Sequence, residues 1–187
     1  NNTGGNARYV LKSKGTVINS AANTAAYAYS QTNITSNQNY VLEATQGTST
    51  ISKRFSVIVN SGALSAGMPS GLKDGVNYNP ADATKAILVL NAPFKDFVYV
   101  AGSFNNWQPD ANYVMKKDPT SGKFWLELTG LTSGISYSYQ YWVGDQTNLP
   151  ATSPSLVKTA DPFSTLVLSP FDDPDIAPLG VYPNLPQ

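Results

Sequence analysis

Neither cysteine nor histidine occurs among the 187 residues of this chain. Those two absences exclude disulfides, thiolate nucleophiles, zinc centres with the usual ligands and any Ser-His-Asp triad. An enzyme made from this chain alone would be confined to carboxylate, lysine or tyrosine chemistry. Charge is scarce as well: 12 Lys+Arg balance 12 Asp+Glu, together 13% of the residues, for a formal net charge of zero. No nucleic-acid partner is expected, because the basic stripe such a partner needs is missing. No apolar run reaches the ~18–20 residues that span a bilayer. No basic-then-apolar start is present, so a secretory leader is expected to be absent or already removed.

What remains is 41% hydrophobic, with 14 Gly and 13 Pro. That is enough to bury a core, and at ~100–200 residues per domain the length fits one large domain or two small ones. The charges are unevenly spread. Residues 1–70 hold five basic groups (Arg8, Lys12, Lys14, Lys53, Arg54) against the single acid Glu43, and the remainder holds seven against eleven. The imbalance places a break near residue 70.

Short segments rich in β-branched and aromatic residues, bounded by Asn, Ser, Gly and Thr, predict strands over 26–30, 39–45 and 51–59. In the last of these Phe55, Val57 and Val59 share one face, as a half-buried strand requires. A Gly/Ser/Pro-rich stretch follows. Strands resume at Ala86–Leu90, Phe97–Gly102, Phe124–Leu128 and 137–143, with weaker segments at Leu156–Thr159 and 166–168. No long helical periodicity appears. The expectation is an all-β chain of two tandem immunoglobulin-like antiparallel β-sandwiches. The expected boundaries are a first sandwich over 1–62, a linker over 63–73, a second sandwich over 74–170 and a connector over 171–187. A full sandwich of this type takes ~100 residues. The first is therefore expected to begin inside a domain of a longer parent, and the connector to lead to a further domain.

The most specific stretch is Val98-Tyr99-Val100-Ala101-Gly102-Ser103-Phe104-Asn105-Asn106-Trp107. It resembles the V-x-V-x-G-x-F-N-x-W signature of carbohydrate-binding module family 48, the early-set domains associated with glycogen and starch. Met115-Lys116-Lys117, Gly122-Lys123-Phe124-Trp125, Leu131-Thr132-Ser133-Gly134 with Tyr137-Ser138-Tyr139-Gln140-Tyr141, and Asp161-Pro162 follow in that family's order. With Asp74-Gly75-Val76-Asn77-Tyr78 and the Tyr-Pro tail, residues 72–187 look most like the version preceding the barrel in secreted bacterial α-amylases of glycoside hydrolase family 13. The sequence departs from the family where a Val-Asp-Gly hairpin reads Val143-Gly144-Asp145, where Gln140 replaces a basic residue, and where no second Trp follows Trp142.

The resemblance implies an extracellular, cell-surface or periplasmic bacterial protein. It also implies a non-catalytic accessory role, binding or orienting starch, glycogen or maltooligosaccharides for a catalytic domain of the same polypeptide. Trp107 would stack on a pyranose face, an indole being flat, large and electron-rich; the bland alternative is that it caps the sandwich edge or packs on a neighbouring domain. Asn105 and Asn106 would hydrogen-bond hydroxyls, or serve as ordinary turn residues. Gln140 and Trp142 lie two apart on one strand and so share a face, which is either part of the sugar platform or an interface. Trp125 is expected in core or inter-sheet packing, and Tyr27, Tyr29 and Tyr40 in strand packing rather than a second sugar platform. No catalytic carboxylate pair, metal site or cofactor is expected. The Asp172-Asp173-Pro174-Asp175 run lacks the spacing of a calcium loop and reads as a solvated linker. Two alternatives to glucan binding are a structural spacer that packs on the barrel through an aromatic face, and a cell-surface interaction domain unrelated to glucans.

Overall fold

A computed structural model describes residues 5–59, 62–145 and 155–167. The chain divides into two compact units, 1–59 and 60–187. All regular structure is strand apart from two short 3-10 turns at Ser103–Asn105 and Ala111–Tyr113, and no α-helix occurs among the described residues. Every strand pairing is antiparallel.

Unit 1 is one four-stranded sheet in the order β2-β1-β3-β4, formed by β1 (Ala7–Ser13), β2 (Thr16–Thr24), β3 (Gln38–Gln46) and β4 (Ser49–Val57). Lys14 and Gly15 close the first hairpin with φ of 49° and 81°, the positive pair that a two-residue turn needs to match strand twist. Register puts Leu11 opposite Leu42 and Tyr40 opposite Phe55, so one face carries Tyr9, Leu11, Tyr40, Leu42, Phe55 and Val57. The other face is mainly polar, with Lys12 and Glu43 paired at 2.6 Å and the Thr45 and Thr50 hydroxyls 2.9 Å apart, and it also carries Val10 and Val41. Residues 26–30, expected as a strand, belong instead to a strap without strand pairing over 25–37. Its Ala-Tyr alternation is read not by a backbone ladder but by side chains. Tyr27 stacks on Tyr9 at 5.4 Å and donates to Asn19 Oδ1, while the Tyr40 hydroxyl donates to Gln31 Oε1.

Unit 2 is a two-sheet β-sandwich. One sheet has the order β11-β10-β7 and the other β5-β6-β9-β8. The strands are β5 (Gly75–Tyr78), β6 (Ala86–Leu90), β7 (Phe97–Gly102), β8 (Lys116–Lys117), β9 (Phe124–Leu128), β10 (Tyr139–Gly144) and β11 (Leu156–Thr159). Strict alternation fills the space between the sheets: Leu88 and Leu90 from β6, Val98 and Val100 from β7, Phe124, Leu126 and Leu128 from β9, with Met115 and Tyr141. Trp125, expected in core or inter-sheet packing, is buried as a core residue is, but on the outer face of its sheet rather than between the sheets. Its Nε1 donates to Ala66 O at 3.0 Å and Lys116 Nζ lies 4.6 Å from its ring.

Part of the stretch read as a linker is tied down in the same way. Leu64 O accepts from Lys117 N at 2.8 Å, Ala66 N donates to Lys117 O, and Ser65 forms a parallel bridge with Lys117. Small side chains there let the backbone lie against β8. The segment 166–168, expected as a weak strand, has no strand at 166–167, and residue 168 lies outside the described residues. So do the connector 171–187, with its Asp-rich run, and most of the polar stretch after Asp145.

Candidate functional site

The motif ending in Trp107 is first of all a device for turning the chain at the end of β7. Asn105 Oδ1 accepts from Gly102 N at 2.8 Å and its Nδ2 donates to Val100 O at 3.0 Å, so one amide latches both ends of the bend. Gly102 is required by close approach, since a Cβ there would lie 2.6 Å from Ser138 O and 2.7 Å from the Phe104 ring. Phe104 packs against the core and stacks on Tyr113 at 5.4 Å. Trp107 N then donates to Gly102 O at 2.9 Å. Asn106 and Trp107 both take left-handed φ, 53° and 59°. For an indole-bearing residue that conformation is strained and must be held by its surroundings.

The five residues expected at a sugar platform are thus distributed unequally. Asn105 has its amide committed to the backbone, and Asn106 is exposed at the tip of the turn. Trp107 is 6% exposed, Gln140 2% and Trp142 1%. Gln140 and Trp142 do share a face, opposite Ala101 and Tyr99 of β7, while Tyr139, Tyr141 and Val143 turn to the core side. That shared face is closed rather than open. Lys158 Nζ sits 4.1 Å over the Trp142 ring, and Trp142 Nε1 is buried without a hydrogen-bond partner among the described residues.

Two of the five, Trp107 and Gln140, reach the wall of a large concavity in unit 2, a groove of about 1470 Å³. Trp142, Asn105 and Asn106 do not line it. The groove runs along the open edge of the sandwich between β5 and the chain following β11. Its rim is aromatic, with Tyr78 80% and Phe163 57% exposed and Tyr137 half-buried. Hydroxyl and amide groups of Asn79, Thr132, Ser133, Ser136, Ser138 and Ser164 alternate with these rings.

Asp161 fixes one side of the groove. It is 4% exposed, its Oδ2 accepts from the hydroxyls of Tyr139 and Tyr141, and its Oδ1 accepts from Phe163 N at 2.9 Å. Its role exceeds the strand-end punctuation that the Asp-Pro pair suggests: it pins the phenols below and the rim residue Phe163 above. Burial, followed by the hydrogen bond and charge of Asp161, raises the Tyr139 phenol far above its ordinary value; burial, then Tyr139 and Asp161, does the same to Tyr141. Both phenols therefore remain protonated donors. Asp74, another carboxylate lining the groove, is paired with Lys123 at 2.6 Å. Among the described residues no group of three or more carboxylates is placed to hold a metal ion.

Sequence reasoning missed Tyr78, Tyr137 and Phe163 as groove residues. Tyr78 ends β5 and Phe163 follows β11, so 85 positions of chain separate two rings that one rim brings together. The available signal was chemical: an aromatic at a strand end beside Asn or Pro, where a core role is not demanded by alternation. No family model matches this sequence, and no curated protein matches it either.

Proposed function

We propose that this chain is a non-catalytic accessory segment of a secreted α-amylase-family glycoside hydrolase, and that unit 2 is an early-set, immunoglobulin-like sandwich that binds or orients starch- or glycogen-type α-glucans. The observation that carries the reading is the groove. Exposed Tyr78 and Phe163 offer apolar ring faces, the neighbouring side chains offer hydroxyls and an amide, and Trp107 of the carbohydrate-module signature stands in its wall with Gln140, which replaces that family's basic residue. Pyranose rings present both an apolar C–H face and hydroxyls, and this lining matches both. The carboxylates of the groove are engaged, Asp74 by Lys123 and Asp161 by two phenols and a backbone amide, which favours binding over hydrolysis. Hydrolysis would need two carboxyl groups about 5–9.5 Å apart across the sugar.

The test is titration of the full chain with maltoheptaose, followed by tryptophan fluorescence. Covering one ring face supplies about 1–2 kcal/mol, so millimolar affinity is expected. Tyr78→Ala is the informative variant, because its ring is 80% exposed and its loss leaves the core intact. It should weaken binding about tenfold with unchanged circular dichroism. Trp107→Ala would confound the result, since removing a buried indole destabilises the fold itself. Saturable binding that Tyr78→Ala leaves unaltered would sink the groove as the glucan site.

A second reading uses the same groove. Val76, Tyr78, Ile135, Phe163, Leu166 and Val167 are large apolar side chains, each at least 36% exposed, and all line it. Such a rim also suits a spacer packing on a catalytic barrel, with the contact here rather than at Trp107 or Trp142. No response to maltoheptaose at millimolar concentration would favour the spacer.

A further inference from the structure

Unit 1 holds a pocket that the carbohydrate-module resemblance, confined to residues 72–187, does not touch. It lies between the strap 25–37 and the apolar face of the sheet and has a volume of about 300 Å³. The strap crosses that face without sealing it. Phe55 remains 41% and Tyr29 39% exposed, although both belong to the pocket wall. Tyr40 lies beside Phe55, rings stacked at 5.1 Å, and is itself 4% exposed. Its hydroxyl donates to Gln31 Oε1 at 2.7 Å, which fixes the amide of this exposed residue and leaves its Nε2 hydrogens to solvent.

We propose that this pocket binds a neutral saccharide. No charged side chain lines it, which disfavours ionic ligands. A purely aliphatic ligand would contact Leu11, Leu42 and Val57 but would cover the exposed Gln31 amide and Tyr29 hydroxyl without replacing the hydrogen bonds they make to water. A pyranose matches both parts, its C–H face on Phe55 or Tyr29 and its hydroxyls on the amide and phenol. The volume stands at the lower end of small-ligand sites and suits one or two sugar units rather than a long chain. The pocket argument stands apart from the proposed function of unit 2; only the choice of an α-glucan as first probe rests on it.

The full chain separates the two sites spectroscopically, because Trp107, Trp125 and Trp142, the only tryptophans, all lie in unit 2. Amide and indole chemical shifts are followed during titration with maltoheptaose and, separately, with cellohexaose. The expected result is a saturable shift of the Tyr29, Gln31 and Ile34 amides with at least one of these sugars. Tyr29→Ala should weaken that response about tenfold, and Tyr29→Phe, which keeps the ring and cannot disturb the fold by leaving a void, about threefold. Unit 1 shifts that persist unchanged in Tyr29→Ala would overturn the assignment. Shifts confined to the indole signals would overturn it while leaving the unit 2 reading intact. Unit 1 shifts with unmoved Tyr78 and Phe163 amides would support it and remove the unit 2 reading.

Discussion

The two units solve the same problem with different success. Both present an alternating apolar face, but unit 1 has a strap to set against it and unit 2 has a second sheet. In unit 2 the result is a continuous interior in which Val98, Val100, Met115, Phe124 and Tyr141 are 0% exposed. In unit 1 the buried apolar residues are Ala7, Val10, Leu11 and Tyr40, while Phe55 and Val57 on the same sheet stay more than one third exposed. A strap buries by ring contacts at a few points, whereas a sheet buries along its whole length. An open face is poor for stability and good for ligands. The pocket of unit 1 and its thin core are therefore the same feature.

The largest effect that would test this contrast is a pair of leucine truncations. Leu88 is 1% exposed between two sheets, and Leu88→Ala should cost about 2–5 kcal/mol, as for other fully enclosed leucines. Leu42 is half-buried at the edge of an existing cavity, and Leu42→Ala should cost only about 1 kcal/mol. Urea unfolding followed by amide signals from each unit gives both values. Equal costs at the two sites would mean that the strap seals unit 1 better than its exposed rings indicate.

How far these differences could be read in advance depends on the strand. Ala86–Leu90, Phe97–Gly102 and Phe124–Leu128 were legible to the residue, because β-branched and aromatic runs between turn signals have few alternatives, and Leu156–Thr159 was marked more weakly. Thr16–Thr24 was not legible: Asn19, Ala21, Ala22 and Asn23 are poor strand formers, and the strand exists because the Lys14-Gly15 turn returns the chain along β1. The opposite error fell at 26–30, where a strand-like alternation serves a strap. At the site, the signature located the turn holding Trp107 but not the rim, since Tyr78 and Phe163 are joined only by the tertiary fold. The sequence left the face of Gln140 and Trp142 open between sugar platform and interface, and burial of Trp142 behind Lys158 could not be seen without the pairing of β10 and β11.

A second and smaller effect sharpens the contrast from the alkaline side. The Tyr141 phenol is fully buried and its folded value lies above the unfolded value of 10.0. Stability linked to it is complete below about pH 10 and falls as pH rises beyond that point, because only the unfolded chain then loses the proton. The slope is about 1.4 kcal/mol per pH unit for one such phenol, and Tyr139 acts in the same direction. In unit 1 Tyr27 and Tyr40 are also raised, by burial and then by Tyr29, but by less than Tyr139 and Tyr141. Unfolding midpoints measured between about pH 9 and 11 should thus fall more steeply for unit 2 than for unit 1. Tyr141→Phe should flatten the unit 2 dependence, and an unchanged slope in that variant would remove Tyr141 as its source.

The smallest effect concerns the polar face of the unit 1 sheet. Lys12 and Glu43 are paired at 2.6 Å on neighbouring strands, with side chains 30% and 29% exposed. Pairs this accessible are screened by solvent and salt, and Lys12→Met should cost about 0.2–1 kcal/mol, less still at high ionic strength. If it costs as much as Leu42→Ala and the loss persists in salt, the polar face shares in holding unit 1 together, and its stability is not set by the half-open aromatic face alone. A loss that vanishes in salt would leave that face as the dominant support, so that a ligand occupying the pocket should raise the stability of unit 1 more than any change on the opposite side of the sheet.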